Sequence, residues 1–242
     1  MAWTRFLPFL STGVTLIFAG LVFARYRSRR GAQLLLWGIG LLWYALATGC
    51  EAFLSLAYSP WALKSWYLAG AMLTAAWLGQ GTLFLLVRRR GVALATLVVV
   101  SLASAASALL LFPSPMGAGS YLVTQPASAQ YAQLLTRPTG VVVLTILLNS
   151  YGTLLLVGGA LYSAWLFWRK RVLANRVVGN ILIAAGALSP ALGGTFLKLG
   201  LADWLYVSEL VGSLVMYLGF HLSSASAPAG RRVEGTQLSS AR

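Results

Sequence analysis

Residues 32–57 read AQLLLWGIGLLWYALATGCEAFLSLA and contain one charged residue, Glu51. A bilayer core about 30 Å thick is crossed by roughly 20 mostly apolar residues in a helix, so this stretch is long enough to span a membrane. Working outward from it, seven such stretches are found, at residues 6–24, 32–57, 66–87, 91–112, 140–168, 177–197 and 203–222. The sequence therefore predicts an all-α polytopic membrane protein with seven transmembrane helices.

The composition agrees with a lipid environment. Of the 242 residues, 59% are hydrophobic and 9% are charged, whereas soluble domains contain about 25% charged residues. The single cysteine, Cys50, excludes an intrachain disulfide and a cysteine-based zinc site. We therefore expect the lipid bilayer to be the first partner of this chain.

A net charge of +14 is compatible with a nucleic-acid partner or with a membrane surface. The positions of the basic residues distinguish the two. Fourteen of the 18 Lys and Arg residues lie in the connections after the first, third and fifth spans and in the C-terminal tail. Cytoplasmic segments carry such an excess, so we expect the N-terminus outside and the C-terminus in the cytoplasm. The basic clusters then face anionic lipid, which argues against nucleic acid and favours a bacterial plasma (inner) membrane.

Residues 1–222 are expected to form one helical bundle. The longest connection, 113–139, lies on the outside and includes ASAQYAQLLTR, which predicts a short interfacial helix. This loop either rests on the lipid headgroups or acts as a functional lid. Residues 223–242 are small, polar and rich in turn residues, and they predict a disordered cytoplasmic tail.

Two carboxylates interrupt the apolar spans, Glu51 and Glu209. An ionisable group is costly inside a membrane and is therefore a functional candidate that faces the bundle interior. Tyr44 shares a helical face with Glu51, and Tyr206 shares one with Glu209. Both carboxylates lie about six residues, or roughly 9 Å, below the outer end of their spans.

These residues predict an outward-facing pocket for a small ligand. Aromatic walls with few polar groups are typical of such sites. The candidate ligand-binding residues are Glu51, Glu209, Lys198, Asp203, Tyr44, Trp77, Tyr206 and Asn149. Alternatively, Lys198 lies at the membrane interface and extends its amine into the lipid headgroups. Trp66 also belongs to the predicted wall, but Trp66 and Trp204 fit an interfacial aromatic belt better.

Three further features are structural or functional candidates. Asn149 and Gln80 are neutral amides that can hydrogen-bond across helices. Pro190, followed by Gly193 and Gly194, predicts a kinked helix and a hinge. A kink of this kind serves either packing alone or movement.

Motifs of enzymes and metal sites are not found in the sequence. His221 has no neighbouring Cys or His, and no HExxH, GxSxG or GxxxxGK motif occurs. We therefore expect no metal, no cofactor and no enzymatic activity.

Resemblance to known families is limited to short segments. Microbial rhodopsins are excluded because the last span, 203–222, contains no lysine. The segments KSWYLAGAML at 64–73 and LADWLYVSELVGSLVMYLGF at 201–220 are similar to the seven-helix sensory regions at the N-terminus of some bacterial histidine kinases. That resemblance implies a ligand-sensing bundle which signals through a separate protein, because the kinase domains are missing.

Three functions therefore remain open. The first is a non-enzymatic sensor that binds a small ligand from the outside. The second is a secondary transporter, because spans 1–3 and 5–7 share an order of helices and basic connections that suggests a 3+1+3 repeat. The third is an accessory subunit that docks onto another membrane protein, or onto a cytoplasmic one.

Overall fold

In the computed structural model, which describes residues 6–87, 89–170, 174–199 and 203–224, the chain is a bundle of helices. The side chains at 174, 176, 190–198, 203 and 224 lie outside this description. Across the described residues the helices are α1 (Leu7–Arg29), α2 (Ala32–Leu54), α3 (Pro60–Leu86), α4 (Arg90–Leu111), α5 (Ala127–Leu134), α6 (Thr139–Arg169), α7 (Ala174–Lys198) and α8 (Asp203–Ser224).

Six of these helices are long and apolar enough to cross a membrane, namely α1, α2, α3, α4, α6 and most of α8. In α7 the described apolar stretch is shorter, Val177–Ser189, although the helix itself has 25 residues. The outside of the bundle is apolar, with Val99 63%, Leu109 74% and Leu154 73% exposed. Apolar surface on this scale is unfavourable in water, so the architecture is that of a membrane-embedded helical bundle.

Helix ends follow local sequence signals. Pro60 occupies the first turn of α3, and the Ser59 hydroxyl accepts a hydrogen bond from the Ala62 amide at 3.4 Å. Between α1 and α2, Arg30 adopts a left-handed conformation (φ 51°) and its amide donates to the Tyr26 carbonyl. This tight turn makes α1 and α2 antiparallel neighbours.

Six helices form a ring. Each contacts the next in the order α1, α2, α3, α6, α7 and α8, and α8 returns to α1. Helix α4 lies outside the ring against α3 and α6. The α1–α2 and α3–α4 connections and the last turn of α6 lie at the arginine-rich end of the bundle, called the basic end below; the opposite end is called the far end.

Helix α3 is not a regular α-helix. It begins at Pro60, six residues before the predicted start of this span, and a π-helical segment occupies Tyr67–Leu73. At its end, the Thr74 amide and hydroxyl both donate to the Ala69 carbonyl. Wide turns of this kind are rare and occur often at functional sites.

The connection between α4 and α6 folds onto the far end of the bundle. The short helix predicted within it is confirmed as α5, and Ala127 and Leu134 are buried in a cluster with Leu54, Leu63 and Leu111. Gln130 fixes the loop internally through bonds with the backbone of Leu122 and Gln125. The loop is thus a packed cover over α2, α3 and α4. Of the predicted disordered tail, 223–242, the first two residues, Ser223 and Ser224, belong to the end of α8, and the remainder lies outside the described residues.

Candidate functional site

The structure brings Glu51 and Glu209 together inside the ring. Glu51 is 1% exposed. Its carboxyl group lies beside the carboxyl group of Glu209 and the indole of Trp66. Tyr44, two turns away on the same face of α2, donates its hydroxyl to the Glu209 backbone carbonyl at 2.9 Å. Glu51 and Glu209 are called the carboxyl pair below, and Trp66 and Tyr44 are its neighbours.

The carboxyl pair is poorly satisfied by hydrogen bonds. Among the described residues, neither oxygen of Glu51 has a hydrogen-bond partner, and one oxygen of Glu209 also lacks one. Buried polar atoms almost always have partners, so each orphan requires an explanation. Two adjacent carboxyls in a low-dielectric interior cannot both carry a charge at low cost, so the pair is suited to hold a proton between them.

Small polar groups surround the same half of the ring. On α1, Ser11 and Thr15 are buried, and the Ser11 hydroxyl has no described partner. The Thr12 hydroxyl donates to the Thr48 hydroxyl of α2 at 3.0 Å. On α8, Ser213 is fully buried. The interior near the far end is therefore polar although it is closed.

Tyr121 of the covering loop closes the far end over Glu51. Its hydroxyl donates to the Leu54 carbonyl at 3.0 Å, and its ring stacks on Tyr58 with centroids 5.0 Å apart. Burial, the nearby Glu51 carboxyl and Tyr58 raise the pKa of Tyr121 to about 12. The Tyr121 hydroxyl therefore stays protonated, and keeps donating, across the physiological pH range.

A cavity of about 470 Å³ lies at the opposite, basic end of the ring. Every ring helix contributes to its wall, with representatives Arg25, Trp37, Thr82, Ser163, Asn180 and Phe220. This volume falls within the roughly 300–1,000 Å³ of small-molecule sites. The cavity is therefore large enough for a solute and is built by the whole ring.

The cavity stops short of the carboxyl pair. Its inner residues include Leu41 on α2 and Met216 on α8. Tyr44 follows Leu41 by one turn, and Glu209 precedes Met216 by seven residues, about 10 Å along the axis. One face of α2 and one face of α8 thus line the cavity at the basic end and present the carboxylates toward the far end.

Other predicted site residues lie elsewhere. The Trp77 indole donates to the Ser104 hydroxyl of α4 at 3.2 Å, away from the carboxyl pair. The Asn149 amide donates to the Ala71 carbonyl at 2.6 Å and so joins α6 to the π-helical segment. Tyr206 is buried one turn from Glu209. Trp66, for which the sequence favours an interfacial belt, lies next to Glu51 instead.

Several predicted positions lie outside the described residues. These are the side chains of Lys198 and Asp203 and of the predicted hinge, Pro190, Gly193 and Gly194. Helix α7 continues through Pro190 to Lys198. Among the described residues, no group of three or more His, Cys, Asp and Glu side chains is arranged to hold a metal ion.

The sequence predicts a pocket that opens at the far end, and the cavity at the basic end was not expected. A signal for it exists in α1, where Phe18, Val22, Arg25 and Arg29 share one helical face. Two of the arginines that indicate the topology, Arg25 and Arg29, thus also line the cavity. Trp37, another lining residue, lies on the face of α2 that carries Tyr44 and Glu51.

Comparison with known proteins finds no matching family model, no significant match to a curated protein and none to a solved structure. The functional argument therefore proceeds from the carboxyl pair and the cavity.

Proposed function

We propose that the chain is a secondary carrier of a small solute, coupled to protons through Glu51 and Glu209. In this proposal the chain spans the membrane seven times, with α7 added to the six long apolar helices, and its basic end faces the cytoplasm of a bacterium. The observation that carries the proposal is a solute-sized cavity at the basic end that ends below a buried carboxyl pair covered from the far end.

Alternating access follows from this arrangement. A carrier exposes one central site first to one side of the membrane and then to the other. Among the described residues the cavity lies at the basic end, whereas Tyr121, Trp66 and the loop cover pack over the far end. Opening the far end would connect the carboxyl pair to the outside, where a proton enters.

The sensor remains the second candidate, because its predicted residues Glu51, Glu209, Tyr44 and Tyr206 do come close together. It receives less support, since the described cavity opens at the basic end and a sensor of external ligands requires access from the far end. A carrier would use both the carboxyl pair and the cavity at the basic end. Nothing in the described contacts favours the accessory-subunit role in the same way.

The test uses purified wild-type protein in liposomes loaded with a pH-sensitive dye. A panel of anionic, neutral and cationic aromatic and aliphatic solutes is added under an imposed pH gradient. We expect one chemical class to move protons together with the solute. Glu51→Gln and Glu209→Gln are each expected to abolish the proton movement, because an amide cannot take up or release a proton.

The matched control is Glu234→Gln, which removes a carboxylate from the C-terminal tail and should leave the proton flux unchanged. Thermal melting of every variant verifies folding; the Gln variants should melt at or above the wild-type temperature, since an amide is cheaper to bury than a carboxylate. Solute uptake that is unaffected by both Gln substitutions, or the absence of uptake for the whole panel, would contradict the carrier.

A further inference from the structure

Among the described residues, four buried oxygen atoms without a hydrogen-bond partner lie in the same part of the ring. They are both carboxyl oxygens of Glu51, one carboxyl oxygen of Glu209 and the hydroxyl of Ser11. Glu51 and Ser11 are each 1% exposed. Buried polar atoms are almost always bonded to protein, water or an ion, so four such oxygens together indicate a ligand.

The Ser11 hydroxyl points into the ring and not back onto its own helix. Other buried hydroxyls nearby are bonded to the backbone of their own helix: Thr15 donates to the Ser11 carbonyl, and Ser213 donates to the Leu210 carbonyl. Such bonds are usual for serine and threonine within helices, but Ser11 makes none. Its hydroxyl is therefore directed at the space between α1 and its neighbours α2 and α8.

Contacts between α1 and α2 place Ser11 close in depth to Glu51. The Thr12 hydroxyl donates to the Thr48 hydroxyl at 3.0 Å, so these two residues are level with each other. The two helices are antiparallel. Ser11 therefore lies about 1.5 Å, and Glu51 about 4.5 Å, closer to the far end than this contact.

Contacts between α1 and α8 place Ser11 close in depth to Glu209 as well. Both helices run toward the basic end, and the ring of Phe18 lies 5.7 Å from the ring of Tyr217. Ser11 precedes Phe18 by seven residues and Leu210 precedes Tyr217 by seven, so Ser11 is level with Leu210. Glu209 is the residue before Leu210. The four oxygens thus come together from three helices.

The ionisable side chains near the carboxyl pair supply no counter-charge. Tyr44 of α2, Tyr121 of the loop cover and Tyr206 of α8 are phenols. On α3, Lys64 donates to two backbone carbonyls after α4 instead. On α1 every ionisable side chain lies at the basic end, and the described side chains 177–189 of α7 include none. Within the described part of the chain, the pair has no basic partner.

From this geometry we infer that the carboxyl pair binds Na⁺, with Glu51, Glu209 and the Ser11 hydroxyl as oxygen ligands, in place of a second proton. With one shared proton the pair keeps one buried negative charge, which is strongly unfavourable until an ion neutralises it. One Na⁺ or one further proton does so, and each releases the other. The inference rests on the proposed carrier function for its role and adds Na⁺ as a second coupling ion.

The ligands favour a small monovalent ion. Hard cations bind to carboxylate and hydroxyl oxygens. Mg²⁺ requires octahedral coordination and Ca²⁺ takes about six to eight oxygens, more than the four that converge here. An organic cation such as choline is too large for a site between packed helices, beyond the end of the cavity.

The experiment measures equilibrium binding of radioactive Na⁺ to the purified full chain in detergent at constant ionic strength. At pH 8 we expect saturable binding that unlabelled Na⁺ displaces and choline does not. Between pH 8 and pH 6 binding should weaken by up to about tenfold per pH unit, because each Na⁺ replaces one proton. Affinity that does not change with pH, or displacement by choline, would overturn the inference.

Ser11→Ala removes one of the four oxygens and is expected to weaken Na⁺ binding about tenfold. Ser213→Ala is the matched control, because Ser213 is 0% exposed but its hydroxyl already donates to the Leu210 carbonyl; its affinity should be unchanged. Glu51→Gln should abolish binding. Equal affinities of the two serine variants would exclude Ser11 from the site and overturn the inference.

Thermal melting in Na⁺-free choline buffer verifies the folding of each variant. Added Na⁺ should then raise the melting temperature of wild type and Ser213→Ala equally, because a ligand stabilises the folded state that binds it. The melting temperature of Glu51→Gln should not respond to Na⁺. A response of Glu51→Gln equal to that of wild type would place Na⁺ elsewhere and overturn the inference.

A transport measurement separates this inference from the carrier proposal. In liposomes with equal pH on both sides, an imposed Na⁺ gradient is expected to drive uptake of the solute that the pH gradient drives. Na⁺ binding without uptake of any solute would reject the carrier alone. Proton-coupled uptake by a protein that does not bind Na⁺ would reject the Na⁺ site alone.

Discussion

Two side chains with nearly the same burial, Gln80 and Glu51, differ completely in their partners. Gln80 is 0% exposed, its amide donates to the Ala93 carbonyl and the Thr96 hydroxyl, and Tyr151 donates to its oxygen. Glu51 is 1% exposed and its oxygens have no described partner. A satisfied amide ties helices together, as was predicted for Gln80, whereas an unsatisfied carboxyl is expected to take a proton.

Tyr121 provides a pH-dependent prediction at the residue scale. Its pKa is raised to about 12 in the folded protein, against about 10 in an unfolded chain. A group that prefers its protonated form when folded contributes its full stability below pH 10 and loses it as pH rises toward 12. We therefore expect wild type to be more stable than Tyr121→Phe at pH 8, and the difference to shrink steadily above pH 10.

The measurement is thermal melting of both proteins in one detergent at pH values from 8 to 11. Tyr162→Phe is the control for removal of a tyrosine hydroxyl elsewhere in the bundle, because Tyr162 is half exposed on α6 and far from the loop cover. A Tyr121→Phe difference that is constant up to pH 11 would show that the Tyr121 hydroxyl does not hold the cover through its protonated form.

At the scale of elements, the contact of α3 with α6 depends on glycine. A Cβ atom at Gly152 would lie 2.1 Å from the backbone carbon of Ala75, and one at Gly79 would lie 2.7 Å from the Gly152 carbonyl oxygen. The two backbones therefore touch just below the π-helical segment. Small residues at such crossings are what allow membrane helices to pack closely.

This contact predicts a large effect of a single methyl group. Gly152→Ala should force α3 and α6 apart and destabilise the protein by at least about 1–3 kcal/mol, the usual cost of overpacking. On the same helix, Gly158 has nothing within 4 Å of an added Cβ. Gly158→Ala should be neutral or slightly stabilising, since alanine is the better helix former.

Unfolding in a detergent and denaturant series would compare both variants with wild type. Equal stability of Gly152→Ala and Gly158→Ala would mean that α3 and α6 are not in backbone contact. Fluorescence size-exclusion profiles of the two variants provide a second measurement, because a displaced α3 should also broaden the elution peak of Gly152→Ala.

The elements that could be predicted from sequence are those with a long apolar pattern. The spans over α1, α2, α4 and α6 follow from hydrophobic runs, and α5 follows from its amphipathic stretch in the loop. The π-helical segment of α3 could not be predicted, because one of its freed carbonyls, that of Ala71, is bonded by the Asn149 amide of α6, a contact that depends on how the helices pack. Likewise, Glu51 and Glu209 are neighbours only because α2 and α8 lie close together inside the ring. The local sequence pattern of either helix does not predict this proximity.

At the scale of the whole molecule, the ring has a two-fold pattern of neighbours. Exchanging α1, α2 and α3 with α6, α7 and α8 maps each contacting pair onto another contacting pair, and leaves α4 outside as a linker. This arrangement is compatible with the predicted 3+1+3 repeat. The similar segments WLG at 77–79 of α3 and YLG at 217–219 of α8 do not follow it, because Gly79 packs on Gly152 of α6 whereas Gly219 packs on Gly179 of α7.

The proposed carrier would have the cavity at one end of this two-fold ring in one of its two access states. If the basic end is open and cytoplasmic, the wall of the cavity should be reachable by water-soluble reagents from that side alone. Replacement of the one native cysteine, Cys50→Ser, gives a background in which single cysteines report access. Ser163 lines the cavity, Ser28 lies at the basic end and Ser120 is exposed in the loop cover.

We expect a membrane-impermeant maleimide to label Ser120→Cys in intact spheroplasts and Ser28→Cys only in inside-out vesicles. Ser163→Cys should also react only in inside-out vesicles, because Ser163 lines the cavity at the basic end. Labelling of Ser120→Cys from the inner side would reverse the orientation derived from the arginine distribution. Labelling of Ser163→Cys from neither side would show that the cavity is sealed, and the ring would then lack the open state on which transport depends.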